Sequence, residues 1–151
     1  MKTLYIIIAF AFGLSLANAQ ISIETKIPSK VREAFTKRYP DVKNEKWAKE
    51  GGNYEAEFVV NKTESSAIYD SDGNFIESVV ELKASELPKA VIDYVATNLN
   101  GKKIKEAGKI TDAAGKISYK AEVGREDYIF DSDCSFVRKD DEKGKNDDQD
   151  Y

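Results

Sequence analysis

The chain of 151 residues contains no histidine and a single cysteine, Cys134. Without histidine, Ser-His-Asp and Cys-His nucleophilic catalysis are excluded, and so are the usual zinc sites, which one thiol could not complete. One cysteine also forbids an intrachain disulfide, so the fold must be held by its core. Basic residues are outnumbered, 23 against 27 acidic, for a net charge of −4. That argues against nucleic acid or an anionic membrane surface as partner, since both require a positive face. Beyond the first residues no stretch approaches the roughly 20 consecutive apolar residues of a spanning helix. Carboxylates are plentiful, yet a hydrolytic acid–base pair needs a cleft and separated environments, which exposed acids on a small sheet rarely supply. The expectation is a non-enzyme with no catalytic residue, no metal and no cofactor.

What is present begins with an address. Lys2, the apolar run Leu4–Leu16 and the small-x-small site Ala17-Asn18-Ala19 read as a signal peptide over 1–19, cleaved before Gln20. The mature chain is then periplasmic or secreted, with no membrane association after cleavage. Gln20, not cysteine, stands immediately after the site, so a lipid anchor is not indicated. Cleavage leaves 132 residues with 22 basic and 27 acidic side chains, a charge of −5 and the size of one ordinary domain. Residues 139–151, with Asp140, Asp141, Glu142, Asp147, Asp148 and Asp150, read as an acidic disordered tail.

Between these ends, over 20–138, the chain says nearly the same thing twice, in units of about 27–82 and 87–138. Tyr69-Asp70-Ser71-Asp72-Gly73-Asn74-Phe75 reappears as Phe130-Asp131-Ser132-Asp133-Cys134-Ser135-Phe136. Pro28 leads Val31, Ala34, Phe35 and Tyr39 at helical spacing until Pro40 stops them. Pro88 leads Val91, Tyr94, Val95 and Leu99, stopped by Asn100-Gly101. Tyr54, Ala56, Phe58 and Val60, and later Tyr119, Ala121 and Val123, alternate with mostly polar residues as half-buried strands do. The offset between the copies falls from 65 at Tyr54/Tyr119 to 61 at Tyr69/Phe130. The expectation is that a hairpin loop absorbs those four residues. The predicted fold is α+β: two helix-plus-three-strand repeats forming one antiparallel sheet with both helices on one face.

Strand parity places Glu55, Glu57, Lys120 and Glu122 on the other, solvated face, acidic with one positive point and suited to a basic peptide or protein surface. Trp47, Tyr69, Tyr128 and Phe130 are the aromatics that would anchor a partner if they lie on that face, or the core if they lie under the helices. Asp70, Asp72 and Asn74 stand at the first, third and fifth positions of a calcium-loop-like pattern, with Glu81 at the twelfth. Gly73 is misplaced for such a loop, and a strand follows it, so a tight hairpin turn is the better reading. Asp131 and Asp133 form the matching turn, where Cys134 replaces the glycine and predicts strain or a different conformation.

These motifs, Ile27-Pro28-x-x-Val31, a strand containing Trp47, Tyr54-Glu55-Ala56-Glu57-Phe58 and the Tyr69–Phe75 turn, resemble the secreted PepSY-like proteins whose fold is similar to the β-lactamase inhibitor protein. The resemblance spans about Ile27 to Val137, and departs from the pattern at Cys134 and in lacking a second tryptophan. It implies a curved sheet with two helices on its convex side and an open concave face. The function expected is non-catalytic binding of a peptide or protein through that face. The alternatives are inhibition of a secreted hydrolase through the hairpins at Asp70–Asn74 or Asp131–Ser135, and a calcium-responsive structural role.

Overall fold

A computed structural model describes residues 26–141. The chain runs α1 (Ser29–Arg38), β1 (Lys46–Glu50), β2 (Asn53–Val60), β3 (Thr63–Tyr69), β4 (Phe75–Leu82), a 3₁₀ turn (Ala84–Glu86), α2 (Lys89–Asn98), β5 (Ile104–Asp112), β6 (Ile117–Val123), β7 (Glu126–Phe130) and β8 (Phe136–Asp141). The eight strands form one open antiparallel sheet in chain order. No described helix is long and apolar enough to cross a membrane.

Each helix starts at a proline cap, Pro28 or Pro88, one position earlier than the first-turn placement expected. The missing proline N–H costs nothing there, and the Pro28 carbonyl accepts from Val31 and Arg32. At the other end, Tyr39 N–H closes on Phe35 O at 2.8 Å before Pro40 stops α1. Asn100 and Gly101 take φ of 54° and 66° after α2, and the Gly101 N–H reaches Ala96 O.

Both helices lie on one side of the sheet. Val31 and Phe35 of α1 pack on Tyr54, Ala56, Phe58, Ala67 and Tyr69. Val91 and Val95 of α2 pack on Ala107, Ala121, Val123, Tyr128 and Phe130. Under α1 the core is aromatic: Phe35 meets Trp47, Phe58 and Tyr69 edge-on at centroid distances of 5.3, 5.2 and 6.4 Å.

Three expectations are corrected. Among the described residues the strands number eight rather than the six of the two repeats, because β5 and β1, the Trp47 strand that only the resemblance implied, join the sheet. β1 offers only Trp47 as a large apolar residue, and β5 is broken in pattern by Gly108 and by a bulge between Ile104 and Glu106. The four-residue length difference is not in a loop. Asn61-Lys62 and Gly124-Arg125 are both two-residue hairpin connections; the second hairpin instead loses two residues from each of its paired strands, as the pairs Tyr54↔Tyr69 and Tyr119↔Phe130 require. An even loss per strand keeps every side chain on its own face. Finally, β8 runs to Asp141, so ordered chain extends past the predicted boundary at 138. Lys139 is held by Glu126 at 2.7 Å and Arg138 by Asp140 at 3.0 Å. The segment read as a signal peptide and the rest of the segment read as an acidic tail lie outside the described residues.

Candidate binding face

Asp-centred hairpin turns join β3 to β4, β5 to β6 and β7 to β8. In Asp70–Asn74 the Asp70 Oδ1 accepts from the N–H groups of Asp72 and Asn74, both at 2.9 Å, and Oδ2 accepts from Asn74 Nδ2 at 2.8 Å. Those bonds, the Asn74 side chain foremost, hold the Asp70 carboxyl below its ordinary range. Asp131 makes the same backbone bonds to Asp133 and Ser135, and Asp112 does so with Ala114 and Lys116. The carboxylates that suggested a cation loop are thus committed to turn geometry. Among the described residues no group of three or more acids, cysteines or histidines is placed to hold a metal. Asp72 instead meets Lys30 at 3.2 Å on the surface. Cys134 adopts the glycine conformation at φ 62°, so the second turn keeps its shape and bears the strain. At Gly73 a Cβ would stand 2.7 Å from the Lys30 carbonyl oxygen, so a side chain there would force the two segments apart.

The aromatic candidates lie on the helix side. Tyr69 and Phe130 are fully buried, Trp47 packs against the α1 core and Tyr128 against the α2 core. None of the four is on the opposite face. Burial drives the Tyr69 hydroxyl upward in pKa, and among the described residues it finds no hydrogen-bond partner. The Tyr128 hydroxyl donates to Glu126 Oε2 at 2.8 Å.

The second face is defined by register. Glu55 lies opposite Ile68, which lies opposite Glu77, which lies opposite Asp112. Ser66, Val79, Ile110 and Ser118 form the next row. Beyond them stand Glu106, Glu122, Asp127 and Asp140, each directly across from the last. Parity therefore put Glu55, Glu57, Lys120 and Glu122 on the expected face, but not at the expected depth. Glu55, Lys120 and Glu122 are 5%, 3% and 8% exposed, so this side is not solvated as predicted. At its centre Val79, Ile110 and Ile129 form a cluster of their own, although Ile110 and Ile129 are two strands apart. The Arg138 charge on β8 acts on Glu77 on β4. In a flat sheet about 19 Å would separate those strands. Side chains converge over this face, and parity alone cannot report such convergence.

Charge here is unbalanced. Glu55, Glu57, Glu64, Glu77, Glu81, Glu106, Asp112, Glu122, Asp127 and Asp140 share the face with Lys46, Lys120 and Arg138, and Lys105 reaches it from the β5 bulge. Like charges directly opposite one another are unfavourable, so the row on β5–β8 carries its own cations. Lys120 lies 3.6 Å from Asp127 with both side chains buried, Lys105 3.7 Å from Glu122, and Arg138 3.0 Å from Asp140. Glu77 differs. It is 5% exposed, and no described residue gives it a hydrogen bond or ion pair. Burial pushes its pKa up to about 7, with Arg138 opposing and Asp112 adding to the rise. Burial and neighbouring carboxylates likewise raise Glu106, beside Glu122, and Glu81, beside Glu64. Sequence reasoning missed Glu77 and Asp112. Their signal was present only in the pairing of β4 with β5, a strand the alternation did not reveal.

On the helix side, Tyr39, Phe58, Val60, Thr63, Ser65, Ser78 and Val80 line an open groove of about 300 Å³. That is the small end for a ligand pocket, and no ionisable group faces into it apart from the Tyr39 phenol.

No protein family and no curated protein matches the sequence. Solved structures do match in fold. A DUF2874 family protein from Bacteroides uniformis superimposes with a TM-score of 0.69 at 19% identity, over 76% of this chain and 88% of that one. A Bacteroides eggerthii protein, provisionally assigned to the periplasm, gives 0.69 at 18% identity over 80% and 92%. A β-lactamase-inhibitor-protein-like (BLIP-like) protein from Bacteroides fragilis gives 0.61 at 21% identity over 82% and 92%. The chain thus shares with them an α+β fold built on an open antiparallel sheet with two helices.

Proposed function

We propose that this chain is an exported, non-catalytic module that recognises a peptide or protein segment through the second face of its sheet. The observation that carries the reading is the distribution of material. Both helices are spent on one side, while the other gathers apolar residues, Val79, Ile110 and Ile129, inside a ring of carboxylates. Apolar centres with polar rims are the anatomy of protein interfaces. Export rests on the leader pattern ending at Ala19, and the likeness to a protein provisionally placed in the periplasm supports it. We further infer that the two halves descend from one duplicated unit of a helix and four strands, since each carries the same Asp-centred turn after its third strand. The PepSY-like resemblance belongs with that inference.

A second reading, inhibition of a secreted hydrolase, is favoured by the likeness to a BLIP-like protein. Here the hairpins at Asp70–Asn74 or Asp131–Ser135 would enter the enzyme's cleft. Mass measurement of the exported form and assays of proteases and β-lactamases with and without the protein test the two. A chain starting at Gln20 with no effect on any hydrolase supports the binding module. An uncleaved chain counts against export, and dose-dependent inhibition favours the second reading.

A further inference from the structure

The acids on the second face are not equivalent. Glu122, Asp127 and Asp140 each have a cation within 4 Å, supplied by Lys105, Lys120 and Arg138. Glu77 and Asp112, directly opposite on β4 and β5, have none among the described residues. Asp112 is partly satisfied, because its Oδ1 accepts the Ala114 and Lys116 N–H groups of the β5–β6 turn. Glu77 has no such bond and is nine-tenths buried, flanked by Ile68, Val79 and Ile110. A buried carboxylate without a hydrogen-bonding partner is costly, and a fold keeps one at little benefit to its own stability. We propose that the Glu77–Asp112 pair is the seat for one basic side chain, lysine or arginine, of a segment bound across this face. The inference rests on the binding role proposed above and names the partner's chemistry.

The groups facing Glu77 settle the sign of a pH effect. Asp112 on β5 raises its pKa, Arg138 from β8 lowers it, and Ile68 on β3 contributes only burial, with Glu55 on β2 one strand further on. The raised value means Glu77 must lose a proton before it attracts a cation, so binding strengthens as pH rises through about 7.

The test uses three labelled peptides of one alternating pattern, valine with lysine, with glutamine or with glutamate, titrated into the mature chain and into Glu77→Gln by fluorescence anisotropy. Melting of the variant confirms that it folds. The expected result is binding of the lysine peptide alone, stronger at about pH 8 than at about pH 6. In Glu77→Gln it weakens about thirtyfold or more, the loss that follows removal of one partner of a desolvated pair, and its pH dependence flattens. Equal binding of all three peptides, or lysine binding indifferent to Glu77→Gln, overturns the cation seat and leaves the sheet face as a binding surface. No binding by any of the three counts against both.

Discussion

The two sides of this sheet are made by the same strands and solve opposite problems. Toward the helices, alternate residues build an interlocked aromatic and aliphatic core in which Phe35 touches four other rings. Toward the other side, the intervening residues bring together carboxylates, a buried Lys120–Asp127 pair and a small aliphatic cluster. The helix side is optimised for cohesion. The second side holds groups that water would solvate better, and such groups are retained where something other than stability selects them.

Four experiments break or sharpen that contrast, from the largest effect to the smallest. Phe35→Ala should cost about 3–5 kcal/mol, since a fully buried ring leaves a cavity under α1; denaturant unfolding that does not shift would mean α1 is not docked. Lys120→Ala should cost about 3 kcal/mol by removing the cation of a buried ion pair, whereas the double variant Lys120→Met, Asp127→Leu should recover most of it, as buried ion pairs replaced by apolar residues commonly do. A third experiment follows Glu77. Its folded pKa, about 7, lies above the unfolded value, so its stabilisation is complete below about 4.5 and is lost as pH rises through about 7. Thermal melts should therefore show higher stability near pH 5 than near pH 8, by up to about 3 kcal/mol, and Glu77→Gln should remove that slope. The smallest effects concern the paired turns. Gly73→Ala should destabilise by about 1–3 kcal/mol through its clash with the Lys30 carbonyl, while Cys134→Gly should stabilise by no more than about 1 kcal/mol by relieving a positive φ.

Much of this architecture was legible because it depends on periodicity. Val31 and Phe35, Val91 and Val95, and Tyr54, Ala56 and Phe58 are apolar at the spacing their elements demand, and all are buried on the helix side. Asp-Gly and Asn marked the first turn, and its geometry carried over to Asp131–Ser135 despite Cys134. Alternation did not mark β1, which only the family resemblance placed at Trp47, because an edge strand such as Lys46-Trp47-Ala48-Lys49-Glu50 needs charge to discourage unwanted pairing, and charge erases the alternation. β5 was hidden because Ala107 and Ile110 face opposite sides with Gly108 and Lys109 between them. The depth of the second face was illegible for another reason. Burial there depends on strands far apart in sequence converging, as Arg138 does on Glu77, and no local pattern encodes that.

The most direct test of the account is methyl NMR of the mature chain, labelled at isoleucine and valine, during titration with the alternating lysine–valine peptide. The account predicts shifts at Ile68, Ile110 and Ile129 with Ile27 and Ile92 unmoved, because the first three share the second face and the others lie with the helices. Shifts centred on Val60 and Val80, which line the groove on the helix side, with the three isoleucines silent, would contradict it.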